Sequence, residues 1–390
     1  MKFIFKNTVL LFVFFLSFFS IYSQNKILTG SDQPEKYIPF LINKNIGIVA
    51  HKASRLVTNN QIHLVDFLIQ SKIQIKTIFA PEHGYYSSAD NGDVLDNSKD
   101  HLTGLNIISL YGKNKKPLPE NLKGIDLIVF DLQDVGARFY TFLSTLHYVM
   151  QACAEANIPV LLLDRPNPNG HYVDGPVLDL KFKSFVGMHP VPIVHGMTLG
   201  EYAKMINGEK WLGDGLKCDL KIIKLRNYTH QDLYTLPVRP SPNLPNTQSI
   251  ALYPSLCLLE PTSISIGRGT EKQFQIYGHP NFSETKFKFK PSPNFGSKNP
   301  KWNGDICYGV SLEKTKTQNQ INLSWLIDAY NKLPENHKFF KDGFDRIAGN
   351  DELRKQITNR ISIDEIKKSW QPKLSIYKEI RKKYLLYPEK

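Results

Sequence analysis

The sequence predicts an α/β protein: a Rossmann-like, doubly wound parallel sheet followed by a second α+β domain. Two observations carry this. Five near-continuous apolar runs, at 46–50 (IGIVA), 75–79 (IKTIF), 107–110 (IISL), 125–130 (IDLIVF) and 159–163 (PVLLL), alternate with helical stretches, which is the pattern of a parallel sheet covered on both faces. The chain's 390 residues, 41% hydrophobic and 12% aromatic, suffice for a large core and suit two domains better than one. The expected division is a leader over 1–23, the sheet domain over 24–188 and the second domain over 189–390.

In chain order, Lys2 and Lys6 precede an apolar run at 9–19 (VLLFVFFLSFF) and a small-residue stretch at 21–24 (IYSQ). That is the layout of a signal peptide cut after Ser23. The run is shorter than the roughly 20 residues of a membrane span, and no Cys stands near the cut. The expectation is an exported protein, periplasmic or secreted, with no stable membrane anchor. The second strand stops at Pro81, which has no N–H for a sheet ladder, and the next residues are Glu82, His83 and Gly84. A long helix is expected over 139–156, and Thr198 with Glu201 forms a capping box for a helix reaching Ile206. A strand over 219–225 follows. The segments 240–245 (PSPNLP) and 253–270 (YPSLCLLEPTSISIGRGT) are rich in turn residues, and loops this long in a folded domain are usually functional. A strand at 307–312, a helix at 323–332 and a helical region at 351–387 complete the chain.

Polar residues gather where the strands end. The second strand yields Glu82 and His83, the fourth Asp131, Asp134, Arg138 and Tyr140, and the fifth Arg165 and Asn167. Sheets of this class place ligands beyond the carboxyl ends of their strands. There is no GxGxxG or GxxxxGK[ST], so no dinucleotide or nucleotide cofactor is expected. HExxH and GxSxG are also missing. The four cysteines form no CxxC pair, so structural zinc is not expected. The net charge is +13, or +11 without Lys2 and Lys6, but the basic residues are dispersed, and no nucleic-acid-binding motif accompanies them. Such a surface suits an anionic glycan. Carboxylates, amides, arginines and aromatics remain, a set that can hydrogen-bond a sugar and supply acid catalysis.

Eight blocks in order, FAPEHG, SLYG, DLQDVGARFYTFLSTL, LDRPNPNG with DGP, HGMTLGE, PSPNLP, YPSLCLLE and SIGRGT, resemble those of the exported bacterial exo-β-N-acetylmuramidases, the NamZ-type glycosidases. The resemblance implies a cleft between two domains, release of N-acetylmuramic acid from the non-reducing end of peptidoglycan-derived glycans, and Glu82 of PEHG as the catalytic acid. One departure is His51, where the family pattern leads one to expect Asn.

On chemical grounds Glu82 is the candidate general acid, and Asp131, Asp134 and Glu260 are the candidates for a second carboxylate. The lactyl carboxylate of muramic acid calls for an Arg, available as Arg138, Arg165 or Arg268. His83, Tyr140, Asn167, Asn243 and Thr270 complete the candidate sugar contacts. Two rival readings are a metal-dependent hydrolase using Glu82, His83, Asp131 and Asp134, and a glycan-binding protein without turnover.

Overall fold

The computed structural model describes residues 26–90, 92–213, 215–282 and 285–390, so the expected leader lies outside the described residues. The larger sheet contains β1 (Ile46–Ala50), β2 (Ile75–Ala80), β3 (Ser98–Lys99), β4 (Asn106–Ser109), β5 (Leu127–Asp131), β6 (Val160–Leu163) and β7 (Leu220–Ile223) in the order β3-β4-β2-β1-β5-β6-β7. Every neighbouring pair is parallel except β3 with β4. Counted among themselves, the six parallel strands run 3-2-1-4-5-6, the doubly wound order of dinucleotide-binding domains. The order reverses between β1 and β5.

Strand alternation builds the two faces. Ile46, Ile48 and Ala50 of β1, Leu127 and Val129 of β5, and Leu161 and Leu163 of β6 pack with helices Pro34–Leu41 and Leu64–Gln70. Val49, Ile128, Phe130, Val160 and Leu162 face the opposite way, into the core that holds helices Phe142–Glu155 and Leu199–Gly208. β1, β5 and β6 are therefore buried on both sides, which is why their residues read as continuous apolar runs and not as alternation.

The sheet does not end at residue 188, where the sequence placed the change of domain. Helix Leu199–Gly208 crosses over to β7, which pairs in parallel with β6. The expected capping box of Thr198 and Glu201 is present, and both side chains do more than cap. Thr198 donates to Asp164 Oδ2 at 2.7 Å, while Glu201 Oε1 contacts His230 Nε2 at 3.0 Å and accepts the Leu386 amide at 2.8 Å.

A second, antiparallel sheet comprises β8 (Ile276–His279), β9 (Phe287–Phe289) and β10 (Cys307–Ser311), ordered β8-β10-β9. Helices Thr247–Leu256, Ser324–Asn331, Phe344–Ala348, Glu352–Thr358 and Ile363–Lys382 belong to the same half of the chain. The long apolar core on the Phe142–Glu155 side runs without a break into this half. The C-terminal tail then returns to the first half, where Tyr387 donates to Asp164 Oδ2 at 2.6 Å.

Candidate active site

β2 delivers Glu82 as the sequence leads one to expect. Past Pro81 the chain reverses through His83 (φ 70°) and Gly84 (φ 77°). A left-handed backbone is natural for Gly and costly for His. It is held at His83 by a bond from Nδ1 to the Ala89 carbonyl at 3.0 Å and by the Ala89 amide on the His83 carbonyl at 3.2 Å. The Nδ1–H therefore donates, leaving Nε2 as the acceptor. Burial lowers the His83 pKa, overriding the neighbouring Glu82 carboxylate, which raises it.

The turn presents Glu82 at 5% exposure. Oε2 accepts from Thr141 Oγ1 at 2.7 Å and Oε1 from the Gly92 amide at 3.2 Å. The Tyr111 phenol, whose pKa burial pushes up, lines the same pocket. Glu82 makes no ion pair with Lys or Arg among the described residues. It opens on a cavity of ≈ 170 Å³ whose walls include His83, Tyr111, Tyr140, Asn243, Glu260 and Arg268, with Phe139, Tyr253 and Phe274 supplying apolar surface.

Opposite Glu82, Arg268 clasps Glu260 through two bonds, Nε to Oε1 at 2.7 Å and Nη2 to Oε2 at 2.9 Å. Burial would raise the Glu260 pKa, but Arg268 outweighs it and holds the carboxyl below its usual range. Two atoms of these pocket residues are buried with no partner: Arg268 Nη1 and Asn243 Oδ1. The Asn243 amide group is fixed by its other end, Nδ2 donating to the Gly296 carbonyl at 2.5 Å. Tyr140 leans edge-on against Tyr253 and donates to the Pro240 carbonyl at 3.1 Å.

The remaining sequence candidates lie outside this wall. Asp131 is fully buried and spent on Arg165, with contacts of 2.6 and 2.8 Å. The same guanidinium also donates to Ser31 and to the Arg55 carbonyl, so the pair ties the ends of β5 and β6 to the chain around β1. Asp134 accepts the Gly136 amide at 2.6 Å and stands 3.7 Å from His195 Nε2. Arg138 donates to four carbonyls, those of Pro176, Val191, Ile347 and Ala348, at 2.8–2.9 Å, and no carboxylate can compete for that fork. Asn167 accepts the Asn169 amide locally and donates to the Met197 carbonyl thirty residues on, and Thr270 bonds Gly267 and Lys272 within a local turn. His51, the departure from the family pattern, is completely buried between β1 and β5. Its Nε2 accepts the Gln133 amide at 3.2 Å.

Thr141, Tyr253 and Phe274 were not legible as site residues. Thr141 falls inside the helix expected over 139–156, and the two rings carry no polar signal that marks them as site residues. Among the described residues, no group of three or more His, Cys, Asp or Glu side chains is placed to hold a metal ion. Asp131, one donor of the metal-dependent reading, is engaged by Arg165. The four cysteines are unpaired thiols, all buried.

Comparison with known proteins gives concordant matches. Residues 46–248 match the family described as "Exo-beta-N-acetylmuramidase NamZ, N-terminal", and residues 251–387 match its C-terminal counterpart. A curated Bacillus subtilis (strain 168) protein named peptidoglycan beta-N-acetylmuramidase NamZ is 37% identical over 386 residues, spanning 93% of this chain and 92% of that one. A DUF1343 family protein from Bacteroides fragilis NCTC 9343 superposes with a TM-score of 0.86 at 44% identity, covering 94% of this chain and 100% of its own. A second DUF1343 protein from that organism gives 0.80 at 27% identity, covering 93% and 99%.

Proposed function

The chain belongs to the exo-beta-N-acetylmuramidase NamZ family, and on that premise we propose that it is a glycoside hydrolase releasing N-acetylmuramic acid from the non-reducing end of peptidoglycan-derived glycans. Glu82 is the general acid. The observation that carries the reading is Glu82 itself, a buried carboxyl on a constrained turn at the pocket wall, oriented by Thr141 and the Gly92 amide and tied to no cation. Its proton passes to the glycosidic oxygen as the bond to C1 breaks and positive charge develops on the sugar ring.

Glu260, the other carboxylate of the pocket, has both oxygens on Arg268. Breaking a buried ion pair to free an attacking carboxylate costs several kcal/mol, about 3–5 for loss of one partner. Glu260 is therefore assigned to holding Arg268. With no other protein carboxylate among the pocket residues, the neighbouring acetamido group of the sugar is assigned to meet the cation at C1, and water then adds at C1 to open that adduct, returning its proton to Glu82. Arg268 Nη1 takes the lactyl carboxylate, and Asn243 Oδ1 accepts an N–H or O–H of the same ring. Unpartnered buried polar atoms are what complementary ligand groups satisfy. A cavity of ≈ 170 Å³ suits a chain end more than a chain passing through. The substrate implies an exported enzyme, in keeping with the signal peptide read from the sequence.

The test is turnover of a chromogenic N-acetylmuramic acid glycoside. Glu82→Gln keeps the shape of the side chain and removes the proton donor. It should lower kcat by about two to four orders of magnitude while circular dichroism and thermal unfolding stay as in the wild type. A variant within about threefold of wild type, less than the smallest loss expected of a missing general acid, would remove Glu82 from the mechanism.

A further inference from the structure

Beside the Glu82 pocket lies a larger hollow of ≈ 620 Å³, lined by segment 337–346 with Phe182, Tyr330, Arg354 and Thr358. Sites that enclose small ligands span roughly 300–1,000 Å³. A recess of ≈ 200 Å³ adjoins it and shares Tyr330, His337, Phe339 and Thr358. Two features give the hollow a chemical preference. The first is aromatic surface: Tyr330 and Phe340 lie 5.7 Å apart with planes 30° from each other, and Phe182 adds a third ring. The second is charge. Lys338, Lys341 and Arg346 line the hollow and join no ion pair among the described residues, whereas Arg354 is neutralised by two bonds to Asp345 at 2.9 and 2.8 Å. Asp342 is the opposing carboxylate, so cations exceed free acids. Rings offer a face to the C–H side of a sugar and cations meet its carboxylate.

The hollow shares two walls with the catalytic pocket. Helix Phe344–Ala348 contributes Arg346 to the hollow and Ile347 to the pocket. Arg138 braces that helix through the Ile347 and Ala348 carbonyls at 2.9 and 2.8 Å. Segment 182–186 likewise gives Phe182 to one and Val186 to the other. Lys341, on the hollow side, bonds through its amide to the Pro261 carbonyl at 2.9 Å, next to Glu260. The two cavities thus lie on either side of the same two segments.

We propose that this hollow is a second carbohydrate site, which takes a carboxylate-bearing sugar of the same glycan whose terminal residue enters the Glu82 pocket. The proposal rests on the function proposed above. The hollow then selects for longer acidic glycans and leaves the chemical step to the pocket.

The variant is the full mature chain with Lys338→Ala, Lys341→Ala and Arg346→Ala together. It is compared with wild type on a chromogenic N-acetylmuramic acid glycoside, which has no further sugars, and on a peptide-free tetrasaccharide of alternating N-acetylmuramic acid and N-acetylglucosamine. The expected result is an unchanged kcat/KM on the glycoside and a KM for the tetrasaccharide raised about tenfold, an effect that added salt reproduces in the wild type. Equal performance of both proteins on the tetrasaccharide, or equal loss on both substrates, overturns the proposal. Should the wild type cleave neither substrate, the catalytic reading fails and calorimetric titration with the tetrasaccharide decides the hollow. Binding weakened about tenfold in the variant supports the second site; equal affinity, or none for the wild type, overturns it.

Discussion

Thr141 stands at the N-terminus of helix Phe142–Glu155, where a Thr hydroxyl ordinarily accepts a backbone N–H, yet it makes no such cap. Its hydroxyl donates to Glu82 instead, exchanging a local bond for one that holds the acid. An intramolecular hydrogen bond is worth roughly 0.5–1.5 kcal/mol net. Thr141→Val should therefore lower kcat on the chromogenic glycoside about two- to tenfold with KM little changed, and Thr141→Ser should restore it. The three candidate arginines separate at the same scale. Arg268→Met should erase most of the preference for N-acetylmuramic acid over N-acetylglucosamine, about ten- to hundredfold from a charge-assisted contact, read as the ratio of specificity constants for the two nitrophenyl glycosides. Pairing it with Glu260→Gln keeps the buried Glu260 charge from confounding the result. Arg165→Met should instead lower stability, by about 3–5 kcal/mol for a broken buried pair, because its work is to neutralise Asp131. Denaturant unfolding with an unchanged sugar preference is the check.

At the scale of elements, the end of β6 and the C-terminal tail are joined through Asp164. Its carboxylate accepts from Tyr387, Thr198 and the Gly200 amide at 2.6, 2.7 and 2.9 Å, and it is completely buried. Burial pushes its pKa up to about 6 against these hydrogen bonds, which lower it. The folded carboxyl thus holds its proton where the unfolded one has lost it. Its contribution to stability is full below the unfolded value, near 3.8, and is lost as pH rises toward about 6. Above that the carboxylate is ionised and depends most on its donors, since bonds to an ionised acceptor are about twice as strong. Tyr387→Phe should cost about 1–3 kcal/mol at neutral pH, with a smaller deficit at about pH 5, where Asp164 is protonated. Denaturant unfolding at the two pH values measures the difference.

Across the whole molecule, the doubly wound sheet supplies the acid while the second half supplies the opposite wall, with Asn243 and Arg268 from loops, Glu260 from the end of the turn Cys257–Leu259 and Phe274 just before β8. The continuous core between the halves holds the two walls in register. Because the proposed chemistry rests on this chain's own side chains, turnover should persist after exhaustive chelation, measured on the chromogenic glycoside. Loss of activity restored by a divalent ion would revive the metal-dependent reading. Mass spectrometry of the mature protein from its native envelope should find an N-terminus at Gln24. A retained leader would overturn the export reading.

The sequence by itself determined the features that depend on near neighbours. Apolar runs buried on two faces specify the parallel sheet, Pro81 with Gly84 specifies a turn at the end of β2, and the spacing of Thr198 and Glu201 specifies a cap. Glu82 could be placed at the end of β2 because the turn that presents it is written in adjacent residues. What the sequence could not decide is how each buried polar side chain is spent, since that depends on partners distant in the chain. Asp131 and Arg165 both lie at strand ends, where ligands bind, yet they satisfy each other. Arg138 is consumed by carbonyls from residues 347 and 348, about two hundred positions away. Arg268 keeps Nη1 free because Glu260 occupies only one side of its guanidinium. The tertiary structure decides between these outcomes because a buried charge is stable only where partners meet it, and the fold alone brings those partners within hydrogen-bonding distance.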